Sequence, residues 1–208
     1  AVKGDVNRPK IISLSAFCGA FHEELGEFIN EYNKKIKRVL ITQEEIAEAI
    51  KLAGKRIDAI YDGRPILLVS ILKGAFVFMA DICRAVTVPC EIGFMCAKSY
   101  YAGTVSAGAV KITMDLEQDI SKYHVIIVED IIDTGRTLND VCNLLKARNP
   151  LSFRVVTLLD KPARRKVDFT ADVSLFTIPD YFVIGYGLDC AEHYRNLPYI
   201  AEYNNEGE

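Results

Sequence analysis

The sequence predicts an α/β fold, a central and mainly parallel sheet with helices on both faces. Two observations predict it. Short continuous apolar runs, bounded by turn residues, alternate with segments whose apolar residues recur at helical spacing. Charged residues then stand where those runs stop: Lys73-Gly74 after Ile66–Leu72, Glu129-Asp130 at the end of 124–130, and Asp160-Lys161 after 153–159. In a parallel sheet such ends lie along one edge, where ligands bind. The three sets are expected to line one cleft.

The elements follow in order. Over Ser15–Lys37, Phe17, Phe21, Leu25, Phe28, Ile29 and Tyr32 fall near helical spacing, so 1–38 reads as a helical extension ahead of a main domain at 39–208. Acidic Glu23, Glu24, Glu27 and Glu31 dilute its basic end and argue for packing rather than a membrane surface. Thr42-Gln43-Glu44-Glu45 has capping-box spacing, and Ile46, Ala49, Ile50, Ala53, Ile57 and Ile60 continue it as one apolar stripe. Asp62-Gly63-Arg64-Pro65 ends that helix. Ile66–Leu72 is a buried strand, Ala75–Val86 a helix and Cys90–Ala97 a strand. From Ser99 to Ala109 small residues and paired tyrosines predict a long loop. Strand 124–130, helix 137–148, strand 153–159 and short strands at Asp172–Thr177 and Phe182–Tyr186 complete the alternation.

Composition narrows the function. With 208 residues, half of them hydrophobic, the chain can bury one full core. A net charge of −3 and a pI near 5.7 oppose general nucleic-acid binding. None of the six cysteines forms a C-x-x-C pair, which favours buried thiols in a reducing compartment over disulfides or zinc. No apolar stretch is long enough to span a bilayer, and the first residues have no signal-peptide layout, so a cytoplasmic protein is expected. His22, His124 and His193 have no metal-like partner at useful spacing.

The chemistry concentrates at Val125–Leu138. Buried strand, polar loop and helix follow in series, with Leu138, Val141, Leu144 and Leu145 starting the helical period. Asp133-Thr134-Gly135-Arg136-Thr137 supplies hydroxyls, free amides and the positive end of a helix, which suits a phosphate. A plain helix capped by Thr137 would use the same residues. Glu129 and Asp130 weigh against that, since paired carboxylates at a buried strand end are costly without a ligand, a cation or donors. No Walker A motif and no G-x-G-x-x-G turn occurs.

Val128–Leu138 resembles the phosphoribosyl-pyrophosphate signature of the type I phosphoribosyltransferases, and its double-acidic start is similar to the 6-oxopurine branch, the hypoxanthine-guanine phosphoribosyltransferases. Four further segments agree in order: Val69–Phe76 with the pyrophosphate loop, Lys98-Ser99-Tyr100 with the lid, Leu158–Lys161 with the purine-lysine strand, and Phe182–Asp189 with Tyr194–Ile200 with the hood and C-terminal signature. The resemblance covers residues 39 to about 203. It implies the type I phosphoribosyltransferase fold, with a small hood built from N- and C-terminal segments.

The resemblance also implies roles. Glu129 and Asp130 would hold the ribose hydroxyls, directly or through Mg2+, and Asp189 would orient a further Mg2+. Asp133, Thr134, Gly135, Arg136 and Thr137 would cradle the 5′-phosphate, with Asp133 also the general base or acid at purine N7. Lys73, Gly74 and Arg195 would bind pyrophosphate, and the Lys73-Gly74 bond is one that can be cis in the family. Ser99 and Tyr100 would open the lid segment. Lys161 would meet O6 of the purine, Phe182 would stack on it, and Val183 and Asp189 would read its edge. The implied reaction joins phosphoribosyl pyrophosphate to hypoxanthine or guanine, with xanthine left open, in a homodimer or homotetramer. A nucleic-acid-binding regulator on the same fold is the competing reading, and the acidic balance with lid, lysine and hood together opposes it.

Overall fold

The computed structural model describes residue 30, residues 32–99 and residues 110–205. The chain divides into two compact units, residues 1–36 with 204–208, and residues 37–203. Of the first, a short helical stretch at 32–34 and the start of a strand are described. The helix expected over Ser15–Lys37 lies almost wholly outside the described residues, and its last two positions, Ile36 and Lys37, are strand instead.

In the larger unit a six-stranded sheet runs in the order β4-β3-β2-β5-β6-β7. It is built from β2 (Ile66–Leu72), β3 (Cys90–Ser99), β4 (Val110–Met114), β5 (His124–Ile132), β6 (Ser152–Asp160) and β7 (Val173–Thr177). All neighbours pair in parallel except β3 and β4. The antiparallel edge strand β4 was not anticipated. Its signal was present but short: Val110, Ile112 and Met114 alternate with Lys111 and Thr113, as in a half-buried strand.

Helices cover both faces. On one, α1 (Gln43–Tyr61) and α2 (Phe76–Ala85) pack on Leu68, Ile126, Val128 and Leu158. The predicted capping box starts α1: the Thr42 hydroxyl accepts from the Glu45 amide at 3.2 Å, and the Glu45 carboxylate accepts from the Thr42 amide at 2.8 Å. Gly54 lets α1 approach α2, because a Cβ there would strike the Ala85 carbonyl. On the other face α3 (Arg136–Lys146) buries Leu138, Val141, Cys142 and Leu145 over Val125 and Ile127. Leu144, expected on that stripe, is partly exposed, and Cys142 takes its place. Thr137 is not the cap of α3. Gly135 is, at φ 77°, with no side-chain cap bond.

A second sheet of three strands, ordered β1-β9-β8, joins β1 (Ile36–Ile41), β8 (Val183–Ile184) and β9 (Ile200–Tyr203). The N- and C-terminal segments expected to build a hood thus pair in one sheet. Lys37 and Arg38 hold the buried Glu202 at 3.0 and 2.8 Å, which keeps its carboxyl below the usual range. Those two charges belong to a strand whose far partner lies over 160 residues away.

Candidate active site

β2, β5 and β6 are parallel and in register, so Leu72, Ile132 and Asp160 end on one edge of the sheet. The expected convergence is observed. A Cβ on Gly74 would fall within the Asp130 carboxylate, and one on Gly187 would meet the Gly74 carbonyl. Lys161 donates its backbone amide to the Ile132 carbonyl at 2.9 Å. Lys73-Gly74, Glu129-Asp130 and Lys161 therefore stand side by side at one end of the sheet, with Gly187 packed on Gly74. The cis peptide of this loop lies between Leu72 and Lys73, one bond before the expected Lys73-Gly74.

Asp130 is buried and Glu129 partly buried. Asp130 is 8% exposed, and its Oδ1 accepts from the Ile131 amide at 2.7 Å. Glu129 Oε2 is buried with no hydrogen-bond partner. Burial, then the neighbouring charge of Asp130, pushes the Glu129 carboxyl well above its ordinary range. Burial raises Asp130 too, against the pull of its hydrogen bonds and of Arg195. A cation or a row of hydroxyl donors is what such a pair is built to meet. Among the described residues no three His, Cys, Asp or Glu side chains gather into a cage for a metal ion. The acidic groups fit a magnesium ion that takes its remaining oxygens from substrate and water, as that ion usually does.

Beside the pair, a cavity of about 160 Å³ is lined by Ile71, Glu129, Ile131, Asp133, Thr134, Gly135 and Thr137 among others. Its floor is the α3 N-terminus. Arg165 supports this loop: its Cδ packs where a Gly135 Cβ would go, its guanidinium pairs with Asp160, and it donates to the Phe169 carbonyl at 3.1 Å. The Lys166 amide holds the Thr134 carbonyl at 3.0 Å. Arg136 is exposed at the first turn of α3.

Asp133 Oδ1 lies 2.7 Å from Arg164 Nε, close enough for an ion pair although the N–H is not aligned on that oxygen. Arg164 also reaches Asp180 at 3.5 Å. Lys161 is only 6% exposed and donates to the Tyr181 carbonyl. Burial lowers its pKa, while Asp133 and Asp180 oppose that shift. Phe182, next in sequence to the Tyr181 carbonyl that Lys161 meets, is 46% exposed, with its ring edge-on to Tyr203 at 5.5 Å. Val183 is buried in β8.

The segment carrying Gly187 is strained. Tyr186, Ala191, Glu192 and Tyr194 all have φ between 50° and 73°, each costing of order 1 kcal/mol. Arg195 donates to the Gly187 carbonyl at 2.8 Å and pairs with Asp189 at 2.8 Å, leaving its buried Nε unbonded. Glu192 reaches both Lys73, at 3.1 Å, and Arg195, at 3.3 Å. Tyr100 and the side chain of Ser99, expected in the lid, lie outside the described residues. Arg164, Arg165 and Glu192 were not singled out from sequence. A run of two arginines after Lys161 was the available signal for the first two, and Glu192 carried none.

A family model for the phosphoribosyl transferase domain matches residues 35–191. The chain belongs to the phosphoribosyltransferase family. This phosphoribosyltransferase is 47% identical over 171 residues to the hypoxanthine-guanine phosphoribosyltransferase of Streptococcus pneumoniae, covering 82% of this chain and 95% of that one. It is 43% identical over 200 residues to the bifunctional protein TilS/HprT of Listeria monocytogenes, covering 91% of this chain and 31% of the other. Among solved structures, a hypoxanthine phosphoribosyltransferase from Staphylococcus aureus superposes with a TM-score of 0.80 at 44% identity, covering 83% of this chain and 94% of that one. A ternary substrates complex of a mutant Trypanosoma cruzi hypoxanthine phosphoribosyltransferase also gives 0.80, at 42% identity, covering 83% and 98%.

Proposed function

We propose that this phosphoribosyltransferase works in purine salvage, transferring 5-phosphoribosyl from phosphoribosyl pyrophosphate to hypoxanthine or guanine with release of pyrophosphate. The observation that carries this reading is the buried Lys161 amine, near Asp133 and bonded to the Tyr181 carbonyl just ahead of the exposed Phe182. A 6-oxopurine stacked on Phe182 offers O6 to Lys161 as an acceptor. The 6-amino group of adenine offers a donor and leaves the lysine unpaired, a mismatch that discriminates by roughly 10⁴ or more.

In this reading Glu129 and Asp130 hold the ribose 2′- and 3′-hydroxyls, and the amides and hydroxyls of Thr134, Gly135, Arg136 and Thr137 take the 5′-phosphate. Lys73, Gly74 and Arg195 receive pyrophosphate, with Val183 and Asp189 at the purine edge. Asp133 exchanges the N7 proton as the glycosidic bond forms. Positive charge develops on the ribose and negative charge on the leaving group, so the fixed cations stabilise the second. Ser99 and Tyr100 begin the segment that closes over the site and excludes water. Glu129, Asp130 and Asp189 would hold Mg2+, which would supply Lewis-acid charge to the leaving group.

The residues ahead of β1 are a segment appended to the catalytic domain, and the enzyme works as a homodimer or homotetramer in the cytoplasm. The test offers phosphoribosyl pyrophosphate and Mg2+ with hypoxanthine, guanine, xanthine and adenine in parallel. Nucleotide from the first two and none from adenine is expected, and chelation abolishes turnover. A preference for adenine would overturn the assignment.

A further inference from the structure

Lys73 and Arg195 stand at opposite ends of the sequence of this site, yet their nitrogens meet on one atom. Glu192 Oε2 lies 3.1 Å from Lys73 Nζ and 3.3 Å from Arg195 Nη2. The backbone is bent to deliver that carboxylate. Ala191 and Glu192 both lie in the left-handed region, at φ 50° and 69°, and the Glu192 amide donates to Asp189 Oδ2 at 2.9 Å. Two cations converging on an oxygen are also what a pyrophosphate group requires. We propose that Glu192 is an internal rival of pyrophosphate, a positioning residue whose carboxylate occupies the Lys73–Arg195 cation pair and must be displaced when the leaving group binds there. This rests on the reading above that Lys73 and Arg195 hold pyrophosphate.

The consequence is kinetic. A carboxylate tethered at the site lowers affinity for phosphoribosyl pyrophosphate and for free pyrophosphate alike, and it speeds departure of the product by re-pairing with the cations. Lys73 and Glu192 are both about two-thirds exposed, so water and salt keep the competition mild. It tunes release rather than blocking the site.

The test compares the wild type with Glu192→Gln, Lys73→Met and the double variant, in enzyme supplied with Mg2+. Product inhibition by pyrophosphate, the KM for phosphoribosyl pyrophosphate and the KM for hypoxanthine are measured at low and high salt. Glu192→Gln keeps the backbone bond to Asp189 and removes the charge. Both phosphate-dependent constants are expected to fall by roughly two- to fivefold, with the hypoxanthine KM unchanged and the gap narrowing in salt. In the Lys73→Met background the effect should shrink, because the contested cation is gone. An unchanged pyrophosphate inhibition constant in Glu192→Gln overturns the inference, as does an equal effect in both backgrounds, which would be general repulsion. If Lys73→Met and Arg195→Met leave pyrophosphate inhibition intact, the assignment of those cations to pyrophosphate fails instead.

Discussion

Gly74 packs its α-carbon against the Asp130 carboxylate so closely that a methyl group there would overlap it. This contact ties the loop after β2 to the acidic end of β5, two strands that are neighbours in the sheet and 50 residues or more apart in sequence. Gly74→Ala is expected to push these segments apart. Overpacking of this kind costs about 1–3 kcal/mol, and kcat/KM for phosphoribosyl pyrophosphate should fall about tenfold or more. Steady-state kinetics beside a thermal melt check it. A variant with wild-type kinetics would show that Asp130 does not need this placement.

Asp133 carries the proton in the proposed reaction and is paired with Arg164 at 2.7 Å. Asp133→Asn should lower kcat by about 10²–10⁴ while the KM for phosphoribosyl pyrophosphate changes little. Near-normal turnover would remove Asp133 from the chemistry. Arg164 is half-exposed, so Arg164→Gln should cost only about two- to fivefold in kcat/KM for the purine.

Lys161 meets the Tyr181 carbonyl and is buried before any purine arrives. Its amine is therefore held in place for an acceptor at O6. Lys161→Gln can present a donor or an acceptor, so discrimination between hypoxanthine and adenine should collapse by about 10² or more. Competition assays with both bases measure the ratio. An unchanged ratio would move specificity elsewhere.

Asp58 links α1 to the loop before β3. Its carboxylate accepts from the Thr87 amide and hydroxyl, both at 2.8 Å, and from the Val88 amide at 3.1 Å. Burial alone would raise its pKa, but these bonds outweigh burial and hold it below the ordinary 3.8. Its stabilising contribution is complete above that value and is lost as the pH falls through the lower folded value. Asp58→Asn should cost about 1–2 kcal/mol near neutral pH, and its deficit should shrink below about pH 4. Denaturant midpoints across pH record both, and a deficit constant down to acid pH would contradict the charge-based account.

Legibility followed the range of the interaction. The start of α1 could be read because the capping box spans four residues, 42–45. The site's acidic end could be read because carboxylates closing an apolar run are anomalous wherever they occur. β1 was hidden, since Lys37 and Arg38 interrupt its apolar residues and make sense only beside Glu202. Cys142 displaced Leu144 on the buried stripe because the orientation of α3 is set by what it packs against.

By itself, the sequence determined the α/β alternation, the charged strand ends and the polar loop feeding α3. Each is written in periodicity or in adjacent residues. Only the tertiary structure decided that Gly74 rests on Asp130, that Arg164 pairs with Asp133, and that Glu192 stands between Lys73 and Arg195. Those relations join charges up to 119 residues apart. A charge's partner across such a distance is chosen by the folded backbone, through burial and geometry that no local pattern records.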